Sequence, residues 1–130
     1  MQARRHARSG SPYEDLFGFS RAVRVGDLVH VAGTAPIEPG GGCAETAADQ
    51  ARRAFGIGLA ALGELGGAAA DVVRTRMYIT DPADADAIGA VHGELFREAR
   101  PAATMVVVAG LLDPRWKVEI ELEAVLDGPR

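Results

Sequence analysis

The sequence is short of the residues that several functions depend on. It has one cysteine, Cys43, in 130 residues, which excludes an intrachain disulfide and any multi-cysteine zinc site. Its three histidines, His6, His30 and His92, are scattered without metal-ligand spacing, so neither a metal nor a cofactor is expected. Aromatic residues make up only 5% of the chain and the net charge is −4, so the broad basic surface with interleaved aromatics that holds nucleic acid is missing. No run approaches the roughly 20 apolar residues that span a bilayer, and the opening lacks the apolar segment of a secretory signal. These absences predict a cytoplasmic protein that engages neither membrane nor nucleic acid.

What is present suits a globular protein. With 48% hydrophobic and 25% charged residues, a chain of this length forms one domain, residues 1–130, and buries roughly two-thirds of its unfolded surface. The opening carries Arg4, Arg5 and Arg8 with no acid before Glu14, and residues 1–12 are expected to be a flexible tail.

Periodicity then predicts the elements. Phe19 to Pro36 reads as a hairpin turning at Gly26-Asp27. After a loop broken by Pro36, Pro39 and three glycines, a helix is expected over 46–65, because Ala51, Phe55, Leu59 and Leu62 recur on one face. Gly66-Gly67 ends it, and residues 71–81 follow as a strand with Val73, Thr75, Met77 and Ile79 on one side and Arg74, Arg76 and Tyr78 on the other. Asp81-Pro82 opens a second helix whose stripe is Ile88, Val91 and Leu95. The apolar run "TMVVVAGLL" and the alternating "KVEIELEAV" close the chain as strands. The order is ββαβαββ: an α+β domain whose mixed sheet carries both helices on one face. The other face then needs covering, and the two-sided apolar strand points to another subunit.

Local motifs are mostly bland. The run from Gly56 to Ala61 matches a loose dinucleotide fingerprint, but its glycines fall inside a helix, where that fingerprint does not work. Cys43 follows three glycines without a base nearby and reads as an incidental thiol. His92 lies on or beside an apolar helix stripe, where a hydrogen-bonded core histidine is the commoner role. Arg74 and Arg76 share a strand face and pair most simply with carboxylates of a neighbouring strand. Those carboxylates are at hand: Glu119, Glu121 and Glu123 fall on one face of the last strand, successive ones about 7 Å apart, and two such charges repel by roughly 0.6 kcal/mol in water and several times more when partly buried. The row therefore faces solvent, cations or a pocket that needs an acid. An ion-paired edge is the simplest reading of Glu121 and Glu123.

Three segments, "FSRAVRVGDLVHVAGTAPI", "DVVRTRMYITD" and "RPAATMVVVAGLLDPRWKVEIELEAV", together resemble in order the signature segments of the RidA family, also called YjgF or reactive intermediate deaminase proteins. The resemblance implies a chorismate-mutase-like α+β fold assembled as a homotrimer, sheets inward and helices outside, with a small-molecule pocket at each subunit interface. It implies that Glu119, the first glutamate of "EIE", sits at the pocket and handles the attacking water as acid/base. Family deaminases hydrolyse enamines and imines and hold the substrate carboxylate with an arginine. Here Ala103, in Pro101-Ala102-Ala103-Thr104, occupies that place, Met105 replaces the family's reactive cysteine, and Phe19 replaces a tyrosine. The substrate-contacting set is thus Phe19, Gly33, Ala103, Thr104 and Met105, with Gly33 and Met105 offering backbone groups, joined by His92, which with Glu94 in "HGELF" on the preceding helix is of a type to manage water. Losing one partner of a buried charge pair costs roughly 2 to 5 kcal/mol, so a simple 2-imino acid is disfavoured unless Arg74, Arg76 or Arg100 reaches the pocket. The expected function is hydrolysis or binding of a small reactive metabolite. A non-catalytic metabolite sensor is the alternative, and RNA cleavage, described for some family members, ranks below both.

Overall fold

A computed structural model describes residues 3–127. Among them are six strands and three α-helices: β1 (Arg4–Ala7), α1 (Pro12–Phe17), β2 (Ala22–Val25), β3 (Leu28–Thr34), α2 (Ala47–Glu64), β4 (Val72–Ile79), α3 (Ala85–Phe96), β5 (Ala102–Val107) and β6 (Val118–Val125). The strands form one mixed sheet in the order β1-β2-β3-β6-β4-β5. Only a crossover can join neighbouring parallel strands, and α3 makes it between β4 and β5, whose pairing is parallel. The other neighbours pair antiparallel. No helix among the described residues is long and apolar enough to cross a membrane.

The expected α+β architecture is present, with an addition at the start. Where the sequence suggests a loose tail, residues 4–7 lie antiparallel against β2, Arg4 opposite Val25 and Ala7 opposite Ala22, and α1 begins at Pro12. Residues 1–2 of that expected tail lie outside the described residues. The ordering has a physical source in Glu14, which is 2% exposed and accepts hydrogen bonds from Ser9 and from Arg21. That carboxylate pins the opening segment to the body of the domain. So the described residues hold one strand and one short helix more than ββαβαββ.

The hairpin forms as its turn residues dictate. Gly26 adopts φ 61°, a conformation open to glycine at little steric cost, and Val25 sits opposite Leu28. Thr46 caps α2, its side-chain oxygen accepting from the Asp49 amide at 3.2 Å. The buried stripe Ala51, Phe55 and Leu62 of α2 packs on Val118, Ile120, Leu122 and Ala124, the apolar face of β6. Gly58 explains the glycine motif: a Cβ there would come within 3.2 to 3.4 Å of Leu122, Ile120 and Val31, so the residue lets the helix lie close to the sheet.

Two strands differ from their patterns. A register irregularity between Val72 and Arg74 turns Val72 inward, 2% exposed, and Val73 outward, 47% exposed, reversing the expected place of Val73. β5 begins at Ala102 and ends at Val107, so the rest of the apolar run belongs to a loop that returns to β6. This strand is one edge of the sheet and β1 is the other. Asp81 does cap the next helical turn, accepting from the Ala83 amide at 2.9 Å, but that turn is a 3-10 segment, Pro82–Asp84, that leads into α3.

Candidate functional site

The carboxylate row of β6 has three different environments. Glu123 takes the Arg76 guanidinium at 2.9 Å, and Glu121 accepts the Tyr78 hydroxyl at 2.8 Å with Arg76 at 3.9 Å. These two are ion-paired as expected, although β6 is a central strand and not an edge. Glu119 makes no hydrogen bond or ion pair among the described residues. It lines a cavity of about 350 Å³ whose walls come from the α1 segment, β3 with the loop after it, α2, and the loop before β6. Burial pushes its carboxyl above the usual range, and Glu121 adds to this, while the Arg21 charge opposes it.

Gly33 makes room for that carboxylate. A Cβ on Gly33 would lie 2.6 Å from Glu119 Oε2, and the residue falls in the register irregularity between Val31 and Thr34. A backbone offset and a missing side chain together open the space in which Glu119 stands.

Arg21 is the residue that sequence reasoning missed. It lines the cavity yet is only 4% exposed; its Nε donates to Glu14 at 3.3 Å, and its Nη1 donates to the Gly33 carbonyl and to Thr34 Oγ1. Its guanidinium carbon stands 5.3 Å from the Phe19 ring centre. Arg74, Arg76 and Arg100 do not line this cavity; Arg74 donates to Thr104 Oγ1 at 2.6 Å instead. Nothing local marks Arg21, because its carboxylate partner lies in the segment that reads as a tail.

Gln50, 1% exposed, binds the outer wall together. Its amide nitrogen donates to the carbonyls of Ala44 and Arg115 at 2.8 and 3.0 Å, and its oxygen accepts the Lys117 amide at 2.7 Å. One α2 side chain therefore ties the loop before the helix to the loop before β6.

Within one chain, the expected site residues fall into two groups. Phe19, Gly33 and Glu119 share the cavity. His92, Ala103, Thr104 and Met105 do not reach it. His92 packs between Phe55 and Phe96, and its Nε2 meets Thr75 Oγ1 at 2.8 Å; burial holds its pKa below the ordinary value. The ring thus holds a packed, hydrogen-bonded place beside the apolar stripe of α3. Met105 packs on the core, and Ala103 is exposed on β5.

The α+β scaffold thus carries a cavity built around one desolvated acid. Residues 13–126 match the family described as Endoribonuclease L-PSP. The chain belongs to that family, which includes the YjgF and RidA proteins. A crystal structure of a YjgF/YER057c/UK114 family member from Mycobacterium tuberculosis is 43% identical, with a TM-score of 0.87, and the match covers 95% of this chain and 99% of that one. An uncharacterized protein of Streptomyces coelicolor is 42% identical over 95% of this chain and 92% of its own length. A protein of Acinetobacter baylyi named 3-aminoacrylate deaminase RutC is 33% identical over 76% of this chain and 79% of its own.

Proposed function

We propose that the chain is an imine or enamine hydrolase in which Glu119 moves the protons. The observation that carries this reading is the carboxyl itself: alone in its row in lacking a partner among the described residues, raised by burial, and set in a cavity. A carboxyl raised above the usual range is a better-matched general acid and base near neutral pH than an exposed one. The protonated acid delivers a proton to the enamine carbon or the imine nitrogen. The resulting carboxylate accepts a proton from water as its oxygen adds to the iminium carbon, and the carbinolamine then collapses to a carbonyl and ammonia. Water is consumed, ammonia leaves, and Glu119 ends as it began. The relative named 3-aminoacrylate deaminase supports this chemistry.

The uncovered sheet face, with Arg76, Tyr78, Glu121 and Glu123 beside exposed Leu28 and Val106, supports assembly as a homotrimer, sheets inward. Such an assembly is also what brings a second chain's Ala103, Thr104 and Met105 to the cavity. Light scattering at the mass of three chains is the expected result, and a monomer at micromolar concentration would remove the intersubunit part of the reading.

A sensor is the second reading, favoured by Ala103, which offers no guanidinium for a substrate carboxylate. RNA cleavage, which the family's description names, fits poorly: the cavity's guanidiniums are already met by acids, Arg21 by Glu14 and Arg53 by Glu38 at 3.7 Å, leaving little for a phosphate backbone. The test generates 2-imino acids in place with an amino-acid oxidase and traps survivors with semicarbazide. Faster imine loss with the natural chain than with Glu119→Gln supports hydrolysis; a retained ligand without turnover supports the sensor.

A further inference from the structure

We infer that the cavity selects an aryl-bearing ligand, through a wall made of Tyr13, Phe17, Phe19 and Trp116; this rests on the reading of the cavity as a substrate site. The chain holds seven aromatic residues, and four of them line this one cavity. Three of them are arranged as a connected set. The Tyr13 ring lies 5.5 Å from that of Phe17 and 6.1 Å from that of Trp116, the second pair edge to face at 75°. Phe17 and Leu112 stand at the wall 60% and 71% exposed, an apolar surface that a planar group would cover.

Size and charge point the same way. A dry cavity of about 150 Å³ admits benzene, and this one is about 350 Å³. Within one chain's cavity, a three-carbon imino acid, no larger than benzene, leaves more than half the space unfilled, whereas an aryl group joined to a reacting imine fills more of it. Arg21 is a weak anchor for a carboxylate, because its Nε and Nη1 are committed and Glu14 already balances its charge. The ligand class is therefore a planar aromatic group carrying a neutral imine, enamine or carbonyl, its ring on the aromatic wall and its reacting carbon toward Glu119.

The test uses the full chain and two unreactive probes, benzamide and acetamide, with binding followed by saturation-transfer NMR and by the emission of Trp116, the only tryptophan. Benzamide is expected to bind at least 10-fold more tightly than acetamide. Tyr13→Ala should weaken it roughly 3- to 10-fold, the size of a lost ring contact, and Phe17→Ser, at an exposed position, gives the same readout if Tyr13→Ala fails to fold. Glu123→Gln, outside the cavity, should bind benzamide as the natural chain does. Equal binding of the two probes, or no binding of either, overturns the aryl site. Aryl binding with no turnover of any imine leaves it standing and removes the hydrolase, while turnover of small imines without preference for aryl ones does the reverse.

Discussion

At one end of β6, Glu123 meets Arg76 at 2.9 Å; at the other, on the same face of the same strand, Glu119 meets no cation at contact distance. The first pair sits partly in water, where an ion pair contributes little and asks little of its surroundings. The second carboxyl is held by space, under a glycine that leaves it room and beside an arginine whose charge is used elsewhere. Residue type and strand register are shared, so the difference comes from what the neighbouring strands place opposite. β4 offers Arg76 to Glu121 and Glu123 but Tyr78 beside Glu119. A row of like charges thus becomes an ion pair at one end and a desolvated acid without a partner among the described residues at the other.

The largest effect that would sharpen this contrast is on turnover. Glu119→Gln should lower imine hydrolysis by about 10²- to 10⁴-fold, the span of general acid–base catalysis. Because burial raises this carboxyl, its ionisation at neutral pH opposes folding, so the variant should melt at the same temperature or higher; a lower Tm would contradict the placement. Next comes Arg21→Met, which strands Glu14 as a buried charge and should cost about 3 to 5 kcal/mol in urea unfolding. Adding Glu14→Gln should restore much of that. Gly33→Ala puts a methyl 2.6 Å from Glu119 Oε2; since the side-chain end can swing aside, roughly 10-fold loss of activity with under about 1 kcal/mol of stability is expected, read from kcat/KM and a thermal melt.

The pH dependence separates the acids further. Burial alone would raise Glu14, but its hydrogen bonds from Ser9 and the Arg21 charge outweigh this and hold its carboxyl below 4.5. Its contribution to stability is complete above pH 4.5 and declines as the pH falls through the lower folded value. Glu119 has the opposite sign, so the carboxylate limb of the rate profile should lie above 4.5. The smallest effect is expected of Glu123→Gln: at most about 1 kcal/mol, lost in high salt, with hydrolysis unchanged. A loss equal to that of Glu119→Gln would break the comparison.

Much of the scaffold is legible in the sequence because its signals are local. Gly26-Asp27 marks the hairpin, and the helix stripes of Phe55, Leu62, Ile88 and Val91 mark what is buried. The resemblance of the closing strand placed Glu119, and alternation put Glu121 and Glu123 on the same face. The cavity was harder to read because it gathers residues 9–21, 33–41 and 112–119, which meet only in three dimensions. β1 failed for a related reason: four residues with two arginines look solvated until β2 lies beside them. Val73 was misplaced because an irregularity of one residue exchanges the faces of a strand.

The two edges of the sheet prepare a newly made chain differently for the crowded cell. β1 presents Arg4 and Arg5, and charged side chains of this kind discourage a foreign strand from pairing. β5, from Ala102 to Val107, carries no charge, and its Val107 is 54% exposed. Its unpaired backbone is a template for another strand. The risk of aggregation during synthesis is therefore concentrated on one side of the molecule.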